Sequence, residues 1–369
     1  MTAKPKNAEP NAYAVILAGG RGERFWPMST QKRPKQLLSL VGDRTLIAQA
    51  VDRLEEELPP PDRVFVITNA DLVDETRKAA PDLPAANIIG EPVGKDTAAA
   101  AALGTALVAA RDPSGVVCIL TADHIIGKVK LFRQTLEESA RIAASRPVIV
   151  TIGITPVEPS TAYGYIETGA IASQGGGVAF FQSKRFVEKP PHEKAVEYVQ
   201  SGRYYWNSGM FVWSVETFKN ALVAHRPPLY AMMQRLIPEI GGHGFAAAFK
   251  REYEQLEKIS IDYAVMEKAD NILMARGEFA WDDVGSWTAL ENHFPKDESD
   301  NTTLGDTETV DSSGNIILSR GRLTALLGVR DMIVVQTDGV TLVCPKDRAQ
   351  DIKKLVVKIR DGGRHPGVL

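Results

Sequence analysis

Gly19, Gly20 and Gly22 stand among Arg21, Arg24 and Lys35, straight after the apolar run 13–17. Glycines without a Cβ let a loop fold tightly and turn successive backbone N–H groups toward an anion, while the cationic side chains add full positive charge. Holding a polyphosphate is the chemistry this combination suits. Two familiar phosphate loops do not account for it. A P-loop needs four residues between its glycines and a Gly-Lys-Ser/Thr ending, and a dinucleotide fingerprint needs G-x-G-x-x-G. Gly20-Arg-Gly-Glu-Arg has neither spacing. A solvated basic turn is the bland alternative, but such a turn has no use for so many glycines behind a buried strand.

Acidic residues supply the complementary chemistry. Asp123 follows the apolar run 116–120 in Thr-Ala-Asp-His, where a carboxylate can ligate a divalent cation or simply cap a turn. Trp281-Asp-Asp-Val-Gly-Ser-Trp sets Asp282 and Asp283 beside a glycine turn and between two large aromatics. Mg²⁺ commonly takes one or two protein carboxylates and leaves its other positions to water and phosphate oxygens. Asp123 and Asp283 suit that role, and Asp282 fits a structural one equally well.

Three further segments carry polar groups at places that invite a ligand. Phe186-Val-Glu-Lys-Pro offers Glu188 as an acceptor for sugar hydroxyls and Lys189 as a point charge for a phosphate, although a solvated ion pair reads as well. Trp206-Asn-Ser-Gly places the Asn207 amide beside a glycine, as a ligand contact or a buried turn. Glu91-Pro-Val-Gly-Lys-Asp-Thr runs into an alanine-rich helix whose free N–H groups could hold a base or a phosphate, with capping by Asp96 or Thr97 as the plainer reading. The six histidines show no metal-site spacing, and no serine or cysteine sits in a nucleophile elbow.

The elements that must position these residues follow from periodicity. Strands are expected over 13–17, 63–68, 115–121 and 147–154, alternating with helices over 46–57, 71–80, 97–111 and 131–145, the pattern of crossover units and a mainly parallel sheet. Ligands gather at the carboxyl ends of such strands, where the glycine loop and Asp123 fall. Extended runs at 180–188 and 209–213 read as a mixed extension of the sheet. A polar linker near Pro295 precedes short strands over 315–319, 324–328, 332–337 and 340–344 and an amphipathic helix over 349–359, with no long tandem repeat. The expected division is therefore residues 1–295, an α/β, Rossmann-like domain with a mixed, mainly parallel sheet flanked by helices, and residues 296–369, a small β-rich domain ending in a helix.

Composition bounds the function. In 369 residues, 43 Lys and Arg against 46 Asp and Glu give a net charge of −3, which argues against a surface built for nucleic acid. Cys118 and Cys344 read as two reduced core cysteines. The expected setting is cytoplasmic, since no run is long enough for a membrane span and no leader pattern precedes Gly19.

Taken together, Leu17-Ala18-Gly-Gly-Arg-Gly-Glu-Arg-Phe-Trp-Pro, Pro34-Lys-Gln, Ala122-Asp-His, Tyr163-Gly-Tyr-Ile-Glu, Phe186-Val-Glu-Lys-Pro, Trp206-Asn-Ser-Gly-Met-Phe, Ser260-Ile-Asp and Trp281-Asp-Asp-Val-Gly-Ser-Trp resemble the bacterial mannose-1-phosphate guanylyltransferase family, or GDP-mannose pyrophosphorylases, in their short, single-function form. The resemblance covers about residues 13 to 290. It implies that GTP and mannose 1-phosphate give GDP-mannose and pyrophosphate with Mg²⁺ as cofactor, in a homodimer. By this resemblance Arg24, Lys35 and Lys189 are catalytic, and Leu17, Ala18, Gly19, Gly20, Gly22, Glu91, Gly94, Thr97 and Asp123 bind the nucleotide. Gly164, Glu188, Lys189 and Asn207 bind the sugar phosphate, and Asp123 and Asp283 hold the metal. One segment departs from the family's wording, with Asp96 for an asparagine and Ala99 for a proline beside the expected base pocket. A pyrophosphorylase for heptose 1-phosphate with GTP, or for glucose 1-phosphate with dTTP or UTP, stays open, as does a non-catalytic sugar-nucleotide sensor.

Overall fold

Expected runs of the first half become strands β1 (Ala12–Ala18), β2 (Val64–Asn69) and β4 (Val116–Thr121), and β3 (Ile88–Glu91), four residues long and not expected from periodicity, joins them, all parallel in the order β3-β2-β1-β4. A computed structural model describes residues 10–54 and 59–369. The expected helix over 46–57 is present as α1 (Leu46–Asp52), and residues 55–57 lie outside the described residues. Helices α2 (Val73–Ala79), α3 (Thr97–Arg111) and α4 (Val129–Ser145) follow the strands, as crossover units require.

Contacts divide the chain into two compact units. The first comprises Met1–Gly19, Ala50–Ala122 and Ile126–Trp281, and the second Gly20–Gln49, Asp123–Ile125 and Asp282–Leu369. This division in space interleaves along the chain instead of falling at one point near residue 295. The reason lies in the second unit's core, where Phe25, Trp26, Met28, Leu38 and Leu40 pack with Ile316, Leu318, Ile333 and Val335. Such long-range burial leaves no local signature in a sequence. Short strands β5 (Ile125–Ile126) and β11 (Trp281–Asp282) occupy two of the places where the chain passes between units.

The first unit holds a nine-stranded sheet. Beyond β4 it continues through β9 (Tyr204–Ser214), β6 (Ile149–Ile154), β10 (Ile272–Gly277), β8 (Val178–Val187) and β7 (Tyr165–Gly175). The expected extension is formed by β7 and β8 at the edge, whereas β9 enters the middle of the sheet, antiparallel to both β4 and β6. Its register slips between Thr151 and Gly153, and Gly209 sits at φ +70°, a bulge that bends the strand just where Asn207 lies. Helix α3 is packed by alanine on nearly every side. A Cβ at Gly104 would come within 2.5 Å of Val15 Cγ1, so only glycine lets α3 approach β1 this closely. Helices α5 (His192–Ser201), α6 (Val215–His225), α7 (Pro227–Leu236) and α8 (Phe245–Glu254) complete the unit, and α6 to α8 share the core of α3.

In the second unit, β12 (Thr302–Leu304), β14 (Ile316–Ser319) and β16 (Met332–Gln336) stack in parallel, and β13 (Thr307–Val310) pairs in parallel with β15 (Thr324–Leu327). The chain therefore coils on itself in rungs, closed by antiparallel β17 (Thr341–Pro345) and helix α9 (Ile352–Gly362). Buried Asn301 and Asn315 form a ladder between rungs, the Asn315 Nδ2 donating to Asn301 Oδ1 at 2.9 Å. Thr302 pairs with Ile316 and Ile316 with Ile333, steps of unequal length, which is why no repeat shows in the sequence. Cys118 is buried in β4, and Cys344, half-buried on the edge strand β17, packs against the rim of the second unit's core; both are free thiols. Among the described residues, no helix is long and apolar enough to cross a membrane.

Candidate functional site

The second unit gathers Arg24, Lys35, Asp123 and Asp283 from three distant stretches of chain. Lys35 is only 6% exposed, and its ammonium donates to Asp123 Oδ2 at 2.9 Å and to the Asp283 main-chain carbonyl at 2.5 Å. A buried lysine needs such acceptors, because removing its charge from water is costly unless it is paired. Burial alone would raise the Asp123 carboxyl, but Lys35 and then His124 hold it below the usual aspartate range. Asp123 is therefore an ionised, partly exposed carboxylate at neutral pH.

Gly22 builds the loop around this lysine. It lies at φ +61°, and a Cβ there would fall 2.3 Å from Lys35 Cβ and 2.8 Å from Lys35 N. Its carbonyl accepts from Ser29 Oγ at 2.6 Å. Gly20, by contrast, has nothing within 4 Å of its Cβ position and leaves its backbone open to a ligand. Arg24 donates to the Gly285 carbonyl at 2.7 Å, and a Cβ on Gly285 would meet Asp283 Oδ1 at 3.2 Å and Arg24 at 3.3 Å. The guanidinium and the carboxylate thus converge on one glycine. Glu23, next along the loop, pairs with Arg360 of α9 at 2.7 Å, and the Trp26 indole donates to the Val368 carbonyl at 2.8 Å.

Asp282 is already engaged. Its Oδ1 accepts from the Val284 amide at 2.7 Å, and its Oδ2 faces His293 Nε2 at 3.0 Å and the Asn292 amide at 3.4 Å. Burial pushes its carboxyl up, but hydrogen bonds from His293, Val284 and Asn292 bring it below the ordinary value. Val284, fully buried, is held at φ +44°, a conformation that costs a β-branched residue roughly 1–2 kcal/mol.

Two clusters lie in the first unit. Near the end of β1, the Gly19 Cβ position is 3.3 Å from Glu91 Oε2, and the Thr68 hydroxyl donates to the Ala18 carbonyl at 3.1 Å. The Leu17 carbonyl accepts from the Ala122 amide, and Gly94 lies by Asn69. Asp96, at φ +69°, caps α3 by accepting from the Thr97 amide, while the Thr97 hydroxyl accepts from the Ile261 amide at 2.9 Å. Tyr253, which sequence reasoning missed, donates its buried hydroxyl to Glu91 Oε1. Burial pushes the Glu91 carboxyl up to about 7 despite that hydrogen bond, with Asp96 adding to the rise.

This shift sets a pH dependence of stability. In the unfolded chain Glu91 ionises near its usual 4.5, whereas the folded protein keeps the proton until about 7. Folding is therefore favoured by this group below 4.5, and the contribution, about 3 kcal/mol, is lost as pH rises through that window. Urea unfolding at pH 5 and at pH 7.5 should show the Glu91→Gln variant losing less stability with rising pH than the parent by about 2 kcal/mol, the part of the effect that falls between those two pH values. Equal losses would place the Glu91 titration elsewhere.

The second cluster surrounds the end of β8 and the bulge in β9. The Asn207 amide donates to Asp262 Oδ1 at 2.8 Å, and its backbone N–H donates to the Gly164 carbonyl at 2.8 Å. A Cβ on Gly164 would come within 2.7 Å of Glu188 Oε2. Lys189, at φ +41°, pairs with Glu188. Asp262 was visible in the Ser260-Ile-Asp motif but had no role assigned from sequence. Burial, with Glu188 adding to it, pushes its carboxyl up to about 6. Gly164, Glu188, Asn207, Asp262 and Glu267 line one cleft, rich in acceptors for hydroxyl groups.

Residues 13–300 match the nucleotidyl transferase family, and residues 305–359 match the MannoseP isomerase/GMP-like beta-helix domain. The mannose-1-phosphate guanylyltransferase of Klebsiella pneumoniae is 36% identical over 355 residues, covering 95% of this chain and 74% of that protein. Its namesake from Escherichia coli K12 is 33% identical over 367 residues, covering 97% of this chain and 75% of that protein. The crystal structure of mannose-1-phosphate geranyltransferase from Thermus thermophilus is similar with a TM-score of 0.85 at 34% identity, covering 95% of this chain and 99% of that one.

Proposed function

The chain belongs to the mannose-1-phosphate guanylyltransferase family of nucleotidyltransferases, and from that premise we propose how its residues carry GMP from GTP to mannose 1-phosphate with release of pyrophosphate. The observation that carries the proposal is the buried Lys35 ammonium, tied at once to Asp123 and to the main chain of Asp283. A cation fixed in a poorly solvated place stabilises negative charge as it develops without having to reorganise.

In this reading the open backbone of Gly19 and Gly20 holds the triphosphate together with Arg24, Gly22 seats Lys35, and Lys35 steadies charge at the α-phosphorus and the departing pyrophosphate. Leu17 and Ala18 end the strand beneath the nucleotide, and Glu91, Gly94 and Thr97 take the base. Lys189 exchanges Glu188 for the sugar phosphate, which frees Glu188 for sugar hydroxyls alongside Gly164 and Asn207. The phosphate oxygen of mannose 1-phosphate attacks directly, so binding and orientation supply most of the acceleration and no protein nucleophile is needed.

A divalent metal belongs to this chemistry in the nucleotidyltransferase family. Among the described residues, no group of three His, Cys, Asp or Glu side chains could hold a cation alone. Asp123 and Asp283 suit Mg²⁺, which accepts one or two carboxylates and fills its remaining positions with water and the nucleotide's own oxygens. Bound there, it would offset phosphate repulsion. In chain order the catalytic domain is assigned to residues 1–295 and the β-rich domain to residues 296–369. A cytoplasmic homodimer completes the reading.

Pyrophosphate release measured over GTP, ATP, UTP and dTTP, each paired with mannose, glucose and heptose 1-phosphates, tests the specificity. GTP with mannose 1-phosphate should give the highest kcat/KM. A better rate with any other pair would move the enzyme to a neighbouring specificity, and no release with any pair would leave a binding protein.

A further inference from the structure

Asp282 and Asp283 are adjacent carboxylates in one turn, yet their surroundings differ in kind. Asp282 spends both oxygens inside the protein, on the Val284 amide and on His293 with Asn292. Its side chain accepts the N–H two residues on, an Asx turn, and so closes the bend that carries Asp283. The bend is otherwise unfavourable, since buried Val284 is driven to φ +44°. The same bend sets the Asp283 carbonyl on Lys35 and brings the Asp283 carboxylate and Arg24 together over Gly285.

We propose that Asp282, oriented by His293, is the positioning residue for Asp283 and Lys35 and takes no direct part in holding a cation. An ionised carboxylate accepts only, so His293 Nε2 at 3.0 Å is the donor to Asp282 Oδ2 and holds that oxygen away from the bend. The arrangement matches the general rule that outer-shell partners aim the ligating groups and that losing one weakens metal binding by roughly 10–100-fold. The proposal rests on the reading of Asp283 as a metal-binding residue, and the experiment keeps the two apart.

Mn²⁺ binding in the presence of GTP, read by electron paramagnetic resonance, is compared among Asp282→Ala, Asp282→Asn, His293→Gln, His293→Ala and Asp283→Asn. Asp282→Asn keeps an acceptor for the Val284 amide, so its Mn²⁺ affinity should fall by about 3-fold at most, whereas Asp282→Ala should lose about 10-fold or more. His293→Gln, which still donates, should bind within about 3-fold of the parent, and His293→Ala should weaken toward Asp282→Ala. KM for mannose 1-phosphate should not move in the Asp282 and His293 variants. Loss of Mn²⁺ in Asp282→Asn as deep as in Asp283→Asn would make Asp282 a ligand and overturn the proposal. Parent-like binding in Asp282→Ala would overturn it as well. Unchanged binding in Asp283→Asn alone would sink the metal role of Asp283 and leave the turn geometry standing.

Discussion

Replacing Asp123 by Asn should lower kcat by about 1000-fold while leaving a folded protein, as seen in circular dichroism and a cooperative unfolding transition. The substitution conserves shape and removes one charge from a cluster whose electrostatics depend on it. Lys35 is 6% exposed and has Asp123 as its carboxylate partner, with the Asp283 carbonyl as a second acceptor. An asparagine oxygen can still accept from the ammonium, so the side chain stays in place, but a neutral amide no longer balances its charge. The cost to stability is then modest, about 1–2 kcal/mol, because the Asp123 side chain is itself partly exposed. Catalysis suffers far more. The carboxylate that suits a cation is gone, and the lysine that should stabilise developing charge is left in an altered field. Turnover within a factor of ten of the parent would remove Asp123 from the mechanism.

The Gly22→Ala variant should lose at least about 100-fold in kcat/KM for GTP together with folding stability, whereas Gly20→Ala should weaken GTP binding and keep its stability within about 0.5 kcal/mol of the parent. A methyl group at position 22 would stand 2.3 Å from Lys35 Cβ and 2.8 Å from Lys35 N, atoms that cannot move without shifting the Lys35 backbone. The backbone at φ +61° adds its own penalty for any side chain. At Gly20 the same methyl meets nothing within 4 Å. The pair therefore separates two jobs that the sequence presents as one glycine-rich loop: Gly22 seats a buried lysine, and Gly20 leaves backbone open for phosphate. Equal losses of stability in both variants, measured by urea unfolding, would contradict that separation.

Periodicity made strands β1, β2, β4 and β6 and the helices α1 to α4 legible, because strands buried on both faces read as unbroken Val and Ile runs, whereas β3, only four residues long, gave no such run. It could not reveal that β9 enters the middle of the sheet, since an antiparallel insertion depends on partners far away in the chain. The rungs of the second unit escaped notice for a related reason: stacked turns of unequal length have no period, and the Asn301–Asn315 ladder shows itself only once the rungs are aligned. For the site, residue type and strand-end position were enough to single out Lys35, Asp123, Glu188, Asn207 and Asp283. Tyr253 and His293 were silent in the sequence because each acts through a partner distant in number, Glu91 in one case and Asp282 in the other. Even Asp282 could be sorted from Asp283 only after its hydrogen bonds were known.

In the mechanism we propose, GMP passes straight from GTP to mannose 1-phosphate, with charge held by Lys35 and its neighbours and no side chain carrying the nucleotide. The stereochemistry at phosphorus tests this most directly. GTP bearing a single sulfur on its α-phosphate, supplied as one diastereomer, is turned over with mannose 1-phosphate, and the configuration of the thio-GDP-mannose is read by ³¹P magnetic resonance. One in-line displacement predicts inversion, whereas retention would require a covalent guanylyl-protein intermediate and would contradict the account.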